Sequence, residues 1–288
     1  RLFQLSGRIP EARAAAYKAQ ELVPALPERE RDHIRTVALA VSGKSVEAFN
    51  SLSDHIETFP RDALPLSLTL GVYGLLGFSG RIDHHEAQRD LLESLAPHWD
   101  DDWWFLTYLG RAHVEMGNHR HGISLIERSL EGNPYNGHAA HDRAHGYYEV
   151  GDVDGGRSFL TEWLPGYDRA GQLHCHLSWH LAAFLLHQGE VEQVMEQYND
   201  SIRLKALLSP SPFAFVDNAS LLWRSALNGQ PFAQNETRNV ADYALENVPM
   251  PAPLAFFNIH TALALAMAGD NDALQSHLTE VDRLVADG

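Results

Sequence analysis

Six histidines fall between His138 and His180, in the segments HAAHDRAHGYYE and HCHLSWH. Their spacing makes them informative. At about 100° per residue on a helix, His138, His141, His145 and Glu149 lie within about 80° of one another, while Ala140, Ala144 and Tyr147 lie opposite. In the second segment His176, His180 and His187 share a face by the same count, and Leu177, Leu181, Phe184 and Leu185 point elsewhere. Two imidazoles at i and i+4 can ligate one divalent ion, and two such pairs on adjacent helices supply four nitrogens, a donor set that suits zinc. His141 with His145 and His176 with His180 meet that spacing. Glu149, one turn past His145, can serve as a further ligand, as an orienter of a ligand or as a general base. His145, Glu149 and His180 are therefore the candidate catalytic groups. The HExxH pattern is absent, and the register between the two helices decides whether the pairs meet. Without that meeting, the same histidines line a water-filled groove or serve as neutral polar packing.

Other residues carry weaker chemistry. Cys175 is offset by about 100° from His176, which turns it towards packing as a structural thiol. Asp217 and Arg224 are two turns apart on one helix face, where they can pair with each other or with the charge of a ligand. Trp179, Trp223, Phe256 and Phe257 read first as core of a helical array, with Trp179 also placed to wall a site. His33 and His113 lie on earlier helices and extend the groove if those helices line it.

Composition narrows the classes. The chain has 288 residues, 44% of them hydrophobic, which is enough for a real core. Its formal charge of −16 repels phosphate backbones and anionic membrane surfaces, so neither nucleic acid nor a membrane is expected as partner. With one cysteine, no disulfide forms within the chain, and a reducing cytoplasm is the expected compartment. No targeting signal is read from the first residues, and a chain opening RLFQLSGRIPEA is expected to lack part of its natural beginning.

The elements that must position the histidines repeat. Gly7, Gly43, Gly80, Gly117, Gly151, Gly189, Gly229 and Gly269 recur at intervals of 34–40 residues, each after one apolar helical pattern and before another. Glycine suits the left-handed position at a helix end, and the prolines that close several second segments stop the next helix. No alternating strand pattern competes with the 3.6-residue period. The expectation is all-α: a right-handed α-solenoid of tetratricopeptide-like helical hairpins, one domain over 1–288, with seven complete hairpins and one truncated at the amino end. First helices, which carry the histidine stripes, are expected on the concave side. Residues 207–215 read as a longer loop between repeats, and 96–104 as an acidic, aromatic turn entering a helix.

Several separated segments resemble the tetratricopeptide repeat protein 38 family, over nearly the whole chain from about Glu28. They are ERERDH at 28–33, the HxxxHxxxE of His141, His145 and Glu149, HLSWH with His176, Trp179 and His180, DNASLLWR from Asp217 to Arg224, and AFFNIHTALALAMAGD with Asn258 and His260. The resemblance implies a right-handed helical-repeat solenoid and brings no settled reaction. Ser178 stands where the family usually has the first of two tryptophans, so the wall beside the site is expected to be smaller here.

Two functional readings follow. In the first, the concave histidine-rich groove binds a small molecule or short peptide through His138, His141, His145, Glu149, His176, Trp179, His180, Asp217, Arg224 and His260. In the second, the chain is a hydrolase or lyase using His141, His145, His176 and His180, either around a divalent metal such as zinc or as metal-free acid and base groups. A plain protein adaptor fits less well, because the ionisable residues concentrate in two or three consecutive repeats. An open array with aromatic ends can also self-associate into a homo-oligomer.

Overall fold

The computed structural model describes residues 3, 8–71, 73–77, 79–208, 212–252 and 254–286. Among them there are helices and turns and no strand. The chain divides into two compact units, Arg1–Pro134 and Tyr135–Gly288.

The first unit holds α1 (Ile9–Leu22), α2 (Glu28–Val41), α3 (Ser45–Thr58), the single turn α4 (Ala63–Leu66), α5 (His84–Leu95), α6 (Trp103–Glu115) and α7 (His119–Gly132). Its hairpins are α2/α3 and α6/α7. In the second, close approach is set by glycine: a Cβ on Gly110 would sit 2.8 Å from the Gly122 carbonyl oxygen, and one on Gly122 2.5 Å from that of Gly110. A core of Leu52, Leu66, Leu92, Trp99, Phe105 and Leu106 fills the space between these helices. The turn before α6 is more than solvated chain: Trp99 is buried and donates to the Pro60 carbonyl at 2.8 Å, while Asp102 caps α6 by accepting from the Phe105 amide.

The second unit holds α8 (Gly137–Glu149), α9 (Val153–Trp163), α10 (His174–His187), α11 (Val191–Gln197), α12 (Pro212–Leu227), α13 (Gln234–Asn247), α14 (Ala255–Ala268) and α15 (Asn271–Ala286). They form four consecutive hairpins whose first helices pack in sequence, α8 on α10, α10 on α12 and α12 on α14. Ala140, Ala144, Leu177, Leu181, Phe184 and Leu185 are buried in one continuous core, so the apolar faces read from the sequence are the packed ones. Gly156 lets α9 touch α10, since a Cβ there would lie 2.4 Å from the ring of Phe184.

The glycine period marks the turns. Gly43, Gly80, Gly117, Gly151, Gly189, Gly229 and Gly269 all have φ between 71° and 80°; Gly7 lies outside the described residues. After six of the seven, the next residue donates to the carbonyl five positions back: Lys44 to Leu39, Asn118 to His113, Asp152 to Tyr147, Glu190 to Leu185, Gln230 to Ser225 and Asp270 to Leu265. This is the bond that closes a helix through a left-handed residue. Gly80 differs because, among the described residues, no regular helix lies directly before it. The segment before it, SLTLGVYGLLGFS, carries Gly71, Gly74 and Gly77, and glycines at that density cost too much backbone entropy for a helix to hold. One first helix is thus reduced to the turn α4.

Two further expectations are corrected. The loop expected over 207–215 ends earlier, because α12 starts at Pro212, a residue suited to a first helical turn; residues 209–211 lie outside the described residues. The segment after Gly189 is not one regular helix either. It passes from α11 into a wider π turn, Tyr198–Ile202, which buries Tyr198 and Ile202.

Candidate histidine centre

Asn136 opens α8 by accepting from the Ala139 amide, which fixes the phase of the helix that carries His141 and His145. The opposite face of α8 is sealed by Ala140 and Ala144, whose small side chains let it lie against its neighbours. On α10, His176 and His180 project from the face not taken by Leu177, Leu181 and Phe184. One ligand atom from each of His141, His145, His176 and His180 comes within 4.8 Å of every other. The Nε2 atoms of His141 and His145 are 3.0 Å apart, and those of His141 and His176 are 3.1 Å apart.

Two carboxylates grip the far nitrogens. His141 Nδ1 is 3.0 Å from Asp142 Oδ1, and His176 Nδ1 is 2.7 Å from Asp217 Oδ1; Asp142 and Asp217 are both buried. A carboxylate accepts, so each Nδ1 carries the hydrogen and each ring turns the lone pair of Nε2 towards the other, with His141 Nε2 also 3.0 Å from His145 Nε2. Two lone pairs 3.1 Å apart repel, and a cation between them removes the conflict. His180 adds to it. Its Nε2 is buried without a hydrogen-bond partner, and burial, followed by the charges of His176, His141, His145 and Arg224, holds the ring well below the ordinary histidine range. It is therefore a neutral donor of an electron pair near pH 7.

The centre is closed on one side and open on the other. His141 and His180 are buried, whereas His145 and His176 are half-buried. Trp179 lies parallel to His176, with ring centroids 5.7 Å apart and an interplanar angle of 3°, and the Arg224 guanidinium sits 5.4 Å from the Trp179 centroid.

The remaining candidates are placed differently. His138 and Glu149 are exposed and outside the four-histidine group, and so is His187. Asp217 and Arg224 do not pair with each other: Asp217 holds His176, and Arg224 donates to Ser220 at 3.3 Å, because α12 turns the acid inward and leaves the guanidinium at the surface. His260 bonds through Nδ1 to the Phe256 carbonyl at 2.7 Å and is lowered mainly by burial. Phe256 is 40% exposed and so is not core, whereas Phe257 and Trp223 are half-buried. Cys175 is half-buried, with its sulfur 3.8 Å from the Ile202 carbonyl, and burial together with Asp217 pushes the thiol far up, as fits a packing role. Ser178 is fully buried and so walls no site. In the first unit, His33 is tied to Asp62 and His113 to Glu93. The sequence reading missed Asp142; a carboxylate next in sequence to a face-directed histidine is its one signal.

No protein-family model matches the chain. Solved structures resemble it. A tetratricopeptide repeat protein from Parabacteroides merdae ATCC 43184 aligns with a TM-score of 0.58 and 13% identity over 91% of this chain and 94% of that one. A chain of the APC/C hetero-tetramer Cut9-Hcn1 aligns with a TM-score of 0.53 and 13% identity over 92% of this chain and 46% of that one. Among the described residues no helix is long and apolar enough to cross a membrane. At this identity the likeness speaks for the fold alone, which is an all-α array of tetratricopeptide-like helical hairpins.

Proposed function

We propose that His141, His145, His176 and His180 hold one divalent metal ion, zinc being best suited, and that this centre binds a small molecule or short peptide on the open side of the helical array. The observation behind the reading is the pair of carboxylate-bonded histidines whose Nε2 atoms stand 3.1 Å apart. Zinc–nitrogen bonds of about 2.0–2.1 Å put tetrahedral nitrogens about 3.3–3.4 Å apart, near the 3.0 and 3.1 Å that separate His141 Nε2 from His145 and His176, within a set whose ligand atoms all lie within 4.8 Å. Histidines bonded through the other nitrogen to carboxylates are the usual outer support of such ligands.

A second reading rests on the same pair. One extra proton between His141 and His176 also removes the lone-pair conflict, which makes a metal-free acid and base pair suited to a hydrolase or lyase. Membership of the tetratricopeptide repeat protein 38 family and a cytoplasmic location belong to the proposal as well, the first from the ordered motifs and the second from the lone cysteine.

His145→Ala and His180→Ala separate the two readings. In the metal reading, protein made without a histidine tag carries about one divalent ion per chain, and each replacement, which leaves three histidines, weakens its retention against chelator while leaving the helical spectrum intact. Unaltered protein without metal, or variants that hold it against chelator as tightly as the unaltered protein, would sink this reading.

A further inference from the structure

The surroundings of the centre point to the class of its ligand. The two carboxylates bonded to the rings, Asp142 and Asp217, are buried and occupied with His141 and His176. On the open side stands a cation instead. Arg224 is exposed and, among the described residues, has no carboxylate partner; its Nε donates to Ser220 Oγ at 3.3 Å, and its guanidinium lies 5.4 Å from the centroid of Trp179. Trp179 is in turn stacked on His176 and 5.0 Å from the His180 ring, so one aromatic ring bridges the cation and the centre. A guanidinium placed on an indole keeps terminal N–H groups for a planar oxyanion, which they grip in pairs. His260, from the next first helix, donates through Nδ1 to the Phe256 carbonyl, so its Nε2 is an acceptor, suited to a donor group of the ligand and not to an oxyanion.

We infer that the ligand of this centre is a carboxylate-bearing molecule whose carboxylate is held by Arg224 above Trp179 while the adjoining group faces the four histidines. The inference rests on the metal-centre reading, and the two fail in different measurements. Free carboxylic acids and peptide carboxyl termini share this chemistry, so the test carries both.

The zinc-loaded full chain is titrated by calorimetry with benzoate, with its neutral counterpart benzamide, and with N-acetyl-Ala-Phe as the free acid and as the amide. At least one acid binds about tenfold or more tightly than its amide, and Arg224→Gln removes that difference with zinc content unchanged. Arg224→Lys, which keeps the charge without the paired geometry, falls between. Preference for benzoate assigns the site to small acids, and preference for the peptide acid assigns it to carboxyl termini. Acids and amides binding alike, no binding of either acid at millimolar concentration, or full affinity in Arg224→Gln protein that retains its zinc overturns the inference. Loss of zinc itself would instead count against the metal centre.

Discussion

The ring nitrogens of His141 and His176 are aligned from behind, and that alignment is itself testable. Asp217→Asn keeps the size of the side chain and removes the charged acceptor from His176 Nδ1. Metal affinity is expected to fall about 10–100-fold, read by competition with a chromogenic chelator. Unchanged affinity would mean that Asp217 only packs. Histidines away from the centre also set how stability depends on pH. His174 and His113 are lowered in the folded protein, first by burial and then by Arg169 and His121 respectively, from an ordinary value of 6.5. The unfolded chain therefore takes up protons before the folded one does. Stability from these groups is whole above about pH 6.5 and is lost as pH falls towards their lowered values. Chelator-treated protein should melt at a lower temperature at pH 5.5 than at 7.5, and His174→Gln should reduce the difference. Equal midpoints would contradict this. At this scale part was legible, because i, i+4 spacing put His141 with His145 and His176 with His180 on one face each, while the register between the two helices stayed open. What spacing could not show was the outer support: Asp142 is adjacent in sequence to His141 and so lies off its face, and Asp217 arrives from the next repeat.

Helix ends and helix contacts use glycine in opposite ways. At Gly229, with φ of 75°, a Cβ would meet nothing within 4 Å, so Gly229→Ala costs only the left-handed backbone, about 1–2 kcal/mol. Gly156 sits inside α9, where alanine is the better helix former, yet its Cβ would strike the ring of Phe184 at 2.4 Å. Gly156→Ala should therefore destabilise by about 1–3 kcal/mol despite propensity, through displacement of α10. Denaturant midpoints of the two variants check both values, and a stabilised Gly156→Ala would show that the contact is looser than described. The turns were legible because only glycine takes that backbone cheaply. The collapse of the helix before Gly80 was not, because leucines at helical spacing in SLTLGVYGLLG outweighed its glycines in a periodicity reading. The start of α12 at Pro212 was missed for a similar reason, proline being read as a loop residue when it also suits a first helical turn.

For the whole molecule, the tetratricopeptide-like fold supplies repeated helical hairpins, and the chemistry comes from which residues their first helices carry. The fold was readable because one period runs through the sequence. The division into units at Pro134 and Tyr135 was not, since no linker composition marks it. The metal reading makes a demand on the intact chain, because an ion that binds only the folded state stabilises it by its binding free energy. The most direct measurement is metal content of protein purified without a histidine tag, paired with its melting temperature at pH 7.5 before and after chelator. About one divalent ion per chain is expected, and chelator should lower the midpoint by at least about 3 °C, roughly 1 kcal/mol for a chain of this size. Protein with no stoichiometric metal, reloaded with none from added zinc and melting at the same temperature with or without chelator, would contradict the metal centre.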